Sequence, residues 1–431
     1  MTTASGPDQT GYEKHASQAR TLADELLIDA EADEGLPPHG VHPFALALGL
    51  VLVALNLRPA LSSIGSVLPD IVRDLGLSST TASLLTMVPV LCLGIFGLTA
   101  PGMARRLGIE RAVLVTLALL AAGVLLRLVP NLIALFISTI MAGAGIGIVG
   151  VLLPGLVKRD FAKRADLMTG VYTMALCGGA AAAAGLTVPL REAAGGQWTV
   201  ALAFWAVPAI IAVFAWLPFV PKRQDGAVQS HYIVTGLWRD PLAWQVTLFM
   251  GLQSSLAYIV FGWLAPILRD RGLDPTAAGL VVSVSIMVQV LTALVGPMLA
   301  TRFHNQGVAA AIMLGLTIAG LLGAVHAPLG TVWVWAVLLG LGQGGNFAVA
   351  LALIVLRAAD SHVAAKLSSM AQSVGYMLAS IGPLAVGLLH DWTGGWTAAS
   401  MLLVIITLLA LVFGLLAGRN KHVKALSKAV S

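Results

Sequence analysis

Charge is what this chain has least of. Asp, Glu, Lys and Arg make up 10% of its 431 residues, against 58% apolar, where a soluble domain carries about 25% charged residues. So little charge does not cover the surface of a water-soluble protein of this length. Cysteine is nearly absent as well: Cys92 and Cys177 both sit in apolar stretches, which excludes a disulfide framework or a redox pair and leaves two packing residues. No paired carboxylates, nucleophile–base set or metal-ligand cluster is spaced for chemistry, so no enzyme, metal or cofactor is expected. No basic stripe with interleaved aromatics points to nucleic acid, and the net charge of +5 reflects short basic loops. Residues 1–42 hold eight carboxylates, from Asp8 to Glu34, against Lys14 and Arg20. They lack the basic start and apolar core of a signal peptide and read as an acidic, disordered cytoplasmic tail.

Apolar runs are what the chain has in abundance, and runs of about 20 residues are what a helix needs to cross a bilayer. Twelve are expected, near 43–68, 80–102, 111–129, 131–156, 166–190, 198–220, 243–267, 276–300, 308–327, 331–356, 365–389 and 397–417. The fold class is therefore an all-α polytopic membrane protein. A polar stretch at 221–242 separates a bundle of six helices (43–220) from a second (243–417), and a basic tail follows at 418–431. With both termini placed in the cytoplasm, 19 of the 25 Lys and Arg fall on inner segments and 5 in outer loops, as the positive-inside rule requires.

The two bundles repeat one another. Arg73-Asp74-Leu75-Gly76-Leu77 recurs 196 residues later as Arg269-Asp270-Arg271-Gly272-Leu273, and at the same offset Pro101 meets Pro297 and Arg106 meets Arg302. An offset of 200 relates Lys158-Arg159-Asp160 to Ala358-Ala359-Asp360. Parallel repeats of this kind place a solute between the halves, near the midplane.

Within the spans the inventory of ionisable groups is short. The carboxylates and histidines fall in the tail, in loops or at span ends, with Asp70 and Asp74 flanking span 1 and Asp391 following span 11. Arg127, at the end of span 3, is expected to snorkel. Arg58 remains, midway along span 1. An intramembrane arginine costs at least about 2.5 kcal/mol and marks a functional site by default. Pro59 leaves the Leu55 carbonyl without its helical donor, so a bend is expected beside the charge. Ser62 shares the face of Arg58 one turn on, whereas Asn56 points nearly opposite, toward helix packing. No carboxylate lies at this depth, so the guanidinium is free for an anion or an electron-rich ligand. An arginine tied to helix-end carbonyls is the alternative. The 196 offset places Ser254 of span 7 opposite Arg58, beside Gln253, with Tyr258 one turn further. Span 10 adds Gln343 and Asn346, span 11 adds Gln372 and Tyr376, and the 200 offset relates Gln372 to Tyr172 of span 5. Each orients a ligand or, equally open, serves as interhelical glue. Gly143, Gly145 and Gly147 lack the Lys-Ser/Thr of a phosphate loop and read as close packing of span 4.

NLRPALSS at 56–63, APGMARRLGIER at 100–111, VLLPGLVKRDF at 151–161, LMTGVYT at 167–173, GLGQGGNFA at 340–348 and MAQSVGY at 370–376 together resemble the major facilitator superfamily, in its cyanate permease and 2-nitroimidazole transporter group. The resemblance spans about residues 43–420. It implies a bacterial inner-membrane transporter moving a small anion or nitro compound by alternating access; a monomer is expected. One position departs from the superfamily: Arg105 stands where an Asp precedes the loop arginine, and Thr301 replaces the same Asp in the second half. The gating ion pairs built on that Asp are not expected here. The alternatives are an exporter of larger apolar compounds and a transport-dead membrane sensor.

Overall fold

The computed structural model describes residues 43–161, 165–221, 231–302, 306–359 and 361–430. The acidic tail at 1–42 therefore lies outside the described residues. Among the described residues, twelve helices are long and apolar enough to cross a membrane: Phe44–Leu75, Thr80–Gly97, Ile109–Leu128, Leu132–Val157, Gly170–Ala193, Trp198–Phe219, Pro241–Asp270, Pro275–Thr292, Gln306–His326, Leu329–Arg357, Lys366–Thr393 and Thr397–Ala417, here spans 1 to 12. Ile133, Phe214, Met401 and Leu408 are more than half exposed on their outer faces. Such a belt is stable against hydrocarbon, where a helix satisfies all its backbone groups internally.

Span ends are set by local caps. Asn131 accepts from the Ile133 amide (2.7 Å) to start span 4, and Asp240 accepts from the amides of Leu242 and Ala243 (2.7 and 3.1 Å) to start span 7. Each side chain satisfies amides that the first helical turn leaves without partners.

Six spans precede residues 222–230 and six follow. Across the divide span 1 packs on span 7, span 2 on span 11 and span 5 on span 8. Exchanging the halves turns span 2 into span 8 and span 11 into span 5, so the second and third contacts are one contact repeated. That is the signature of a pseudo-twofold axis running between spans 1 and 7. Span 4 is wedged between spans 2 and 3. Gly143 and Gly147 lie on the backbone at Pro89 and Leu93, while Gly145 faces the Thr116 carbonyl.

Three features differ from the sequence reading. Span 1 continues to Leu75, so Asp70 lies inside the helix at 2% exposure rather than beyond its end. Arg127 does not snorkel. It is 1% exposed and donates to the Ser138 hydroxyl and the Ala60 carbonyl, each at 2.9 Å, pinning span 3 to span 1. A buried guanidinium is tolerated when its donors are satisfied this way. Third, the linker and the tail are joined: strand β1 (His231–Thr235) pairs antiparallel with β2 (Leu426–Val430), and Asp240 accepts from the Lys424 amide at 2.6 Å. The face bearing this ribbon is called the linker side below, and the opposite face the far side.

Candidate substrate site

The site begins with a broken helix. Span 1 consists of one helix, Pro43–Asn56, and a second, Pro59–Leu75, because Pro59 has no amide proton to continue the ladder. Arg58 occupies the junction with φ −113° and ψ −21°, and its carbonyl accepts from the amides of Leu61 and Ser62 (3.0 and 3.1 Å). Gly179 of span 5 lies directly against the Leu55 carbonyl, where any Cβ would overlap the oxygen. Gly179→Ala is expected to destabilise the protein by about 1–3 kcal/mol, the usual cost of overpacking. A lowered melting temperature of the purified protein would show it.

The Arg58 side chain points into a cavity of about 150 Å³ enclosed by both halves. Among the described residues, no carboxylate and no carbonyl accepts from its guanidinium, which rests over the Phe261 ring at 5.5 Å. The cavity wall is mostly apolar, with Leu57, Leu93, Ile146, Leu176 and Phe347 among its residues. No Asp, Glu or His lines it among the described residues. The lining descends from Gly147 to Pro154 on span 4 and from Gln343 to Leu351 on span 10. That is about 10 Å of helix at 1.5 Å per residue, directed toward the linker side.

Eight of the ten expected residues meet in this cavity: Arg58, Tyr172, Gln253, Ser254, Tyr258, Gln343, Gln372 and Tyr376. Arg58 and Ser254, related by the 196 offset, both line it. Gln253 donates to the Ser254 hydroxyl (2.8 Å), Gln372 donates to Ser368 (2.9 Å), and Tyr258 stands edge-on to Tyr376 with ring centres 5.9 Å apart. Ser62 and Asn346 do not line it. Ser62 donates to the Ala180 carbonyl of span 5 (3.0 Å), and Asn346 donates to Thr317 of span 9 (3.0 Å), so both are interhelical ties. Asn56 is a third tie, donating to the Pro208 carbonyl of span 6 at 3.1 Å.

The sequence reading passed over Gln289, Thr173 and Ser373, which line the cavity too. Gln289 donates to Gln343 (3.1 Å), whose own amide donates to the Leu256 carbonyl (3.3 Å). The Ser373 hydroxyl is buried without a partner among the described residues. The repeat contained the signal, since Thr173 and Ser373 are 200 residues apart, as Tyr172 and Gln372 are.

The far side is closed above the cavity. Asp70 of span 1 accepts from Arg191 of span 5 (2.7 Å) and from Arg269 of span 7 (2.9 Å), and Arg269 also donates to the Ser66 carbonyl. One carboxylate thus joins the two halves. Thr80 of span 2 donates to Asp391 of span 11 (3.3 Å). On the linker side Arg159 binds Asp160 and Glu110 at 2.7 and 2.6 Å. Burial works against its charge, but both carboxylates outweigh burial and raise its pKa above the ordinary arginine value.

Two pseudo-symmetric six-helix halves around a central cavity define a membrane transporter of the secondary type. The sequence comparison agrees: the Major Facilitator Superfamily profile matches residues 46–271 and again 246–430. This chain belongs to the major facilitator superfamily. It is 36% identical over 391 residues to the 2-nitroimidazole transporter of Escherichia coli K12, covering 89% of this chain and 98% of that one. To the cyanate transport protein CynX of the same organism it is 30% identical, covering 81% and 91% respectively. Among solved structures, a bacterial homologue of the human lysosomal transporter Spinster, inward-facing and unoccupied, superposes with a TM-score of 0.70. The two share 15% identity, with 89% of this chain and 98% of that chain covered.

Proposed function

We propose that this transporter moves a small anionic or electron-rich solute, cyanate-like or nitroimidazole-like, across the bacterial inner membrane by alternating access. Arg58 is its central binding residue. The observation that carries the reading is a guanidinium without a counter-ion among the described residues, aimed from a helix break into a cavity of about 150 Å³. A planar, permanently charged fork suits two oxygen acceptors or a conjugated anion, and the relatives named for 2-nitroimidazole and cyanate carry such chemistry. Gln253, Ser254, Gln343, Gln372 and the hydroxyls of Tyr172, Tyr258 and Tyr376 supply neutral hydrogen bonds around it, and Ser62 and Asn346 are not among the contacts. The volume argues against an exporter of larger compounds, since drug-sized ligands occupy about 300–1,000 Å³, whereas about 150 Å³ admits a single aromatic ring. With the termini in the cytoplasm, as the basic-residue bias supports, the cavity faces inward.

The test is thermal stabilisation of the purified protein screened over cyanate, other small anions and nitroheterocycles. At least one compound is expected to raise the melting temperature of the native chain and to leave that of Arg58→Ala unmoved. Equal shifts in both proteins would place the solute elsewhere.

A further inference from the structure

The repeat carries unlike residues at one position beside its own axis. At the 196 offset Gly65 and Phe261 are equivalent, and the backbone at Gly65 lies against the Phe261 carbonyl. Two points exchanged by a twofold axis touch only if both lie beside it. This places Phe261 on the central line of the translocation path, where the first half has no side chain and the second has a phenyl ring.

Its surroundings divide that path. Leu61 and Tyr258 line the substrate cavity; together with Phe261 they also line a second void of about 20 Å³ toward the far side, walled by Ile64, Leu85 and Thr86. Phe261 is 6% exposed, its ring is 6.1 Å from that of Tyr258, and Arg58 sits over it. The backbone beneath is a π-turn, Val260–Leu264. Such turns widen the helix, break its regular ladder and recur at functional sites.

We infer that Phe261 is the plug that closes the path on the far side of the site, and that Arg58 holds it in place through its ring. The inference rests on the cavity being the substrate site. The attraction between a guanidinium and an aromatic face is strongest when both are out of water. Arg58 has the ring as its partner; a bound anion competes for the same guanidinium. Binding thereby loosens the plug, which links occupancy to opening.

Thr86→Cys, with Cys92→Ala and Cys177→Ala, puts a single thiol behind the plug. A charged methanethiosulfonate added to the detergent-solubilised protein is expected to leave it unlabelled. Phe261→Ala should label at least roughly tenfold faster, since reactivity of a buried group follows its opening equilibrium. Phe261→Leu keeps bulk without a π face and should leak as well, as should Arg58→Ala, whereas Phe261→Trp should stay sealed. If Phe261→Ala does not fold, the leucine and tryptophan variants carry the comparison. Labelling in the parent, or equal rates in parent and Phe261→Ala, overturns the plug. A sealed Phe261→Leu overturns the hold by Arg58. The assay uses no solute, so its outcome is separate from whether Arg58 binds an anion.

Discussion

Arg58→Lys is expected to weaken solute binding nearly as much as Arg58→Ala, by roughly 30-fold or more. Two features of the site require this. Arg58 lines the cavity with its guanidinium over the Phe261 ring at 5.5 Å, and a lysine ammonium offers neither the planar face nor the two-pronged fork of arginine. No carboxylate shares the cavity among the described residues, so Arg58 is the group that compensates an anion's lost hydration. Hydrogen bonds to charged groups are worth about 1.5–3 kcal/mol, and each 1.4 kcal/mol is about tenfold in affinity. Lysine preserves the charge but not the geometry. It also shifts its pKa readily when buried, so part of the population would be neutral. Isothermal calorimetry on the three proteins decides it. Lysine binding as tightly as arginine would mean that charge alone selects the solute.

The residues that were legible in the sequence are those on which the bilayer or the covalent chain acts directly. Hydrocarbon imposes the length of each span, and Pro59 removes its own hydrogen bond whatever surrounds it, so the break at Arg58 could be read before any packing was known. The repeat pointed to Ser254, which lines the same cavity as Arg58. What depends on the rotation of each helix about its axis was not legible. Asn346 lies three residues from Gln343 yet turns toward Thr317 instead of the cavity. Asp70 appeared to be at a membrane edge because its spacing carries no sign of Arg191 and Arg269, which reach it from two other spans. Arg127 appeared able to reach water; its partners Ser138 and Ala60 come from elements that only the fold brings together. The ribbon of β1 and β2 joins residues 191 to 199 apart through backbone bonds, a pairing to which side-chain pattern contributes little.

A pH gradient alone is expected to drive no accumulation. A carrier coupled one-to-one to protons concentrates its solute about tenfold per pH unit, because one unit is worth about 1.36 kcal/mol. To do so it needs a group in the pathway that loads and releases a proton, usually Asp, Glu or His. The cavity lining contains none among the described residues, and arginine stays protonated. The candidates nearest in sequence are placed unfavourably. Asp74 is exposed at the membrane edge against Arg73, and His326 is bonded to Ser400 of span 12 (2.8 Å). Asp70 is held between Arg191 and Arg269 on the far side and does not line the cavity. Transport is therefore expected to be uniport, or an exchange in which one anion replaces another on Arg58, the empty site carrying the positive charge that the bound anion neutralises. The measurement is uptake into proteoliposomes, with the membrane potential clamped, of a solute whose charge is constant between about pH 6 and 8. An internal concentration level with the external one agrees with this scheme, and faster uptake into vesicles preloaded with the same anion selects exchange over uniport. Accumulation approaching tenfold per unit would instead mean that a group outside the cavity lining carries the proton, with Asp70, Asp74 and His326 the first to substitute.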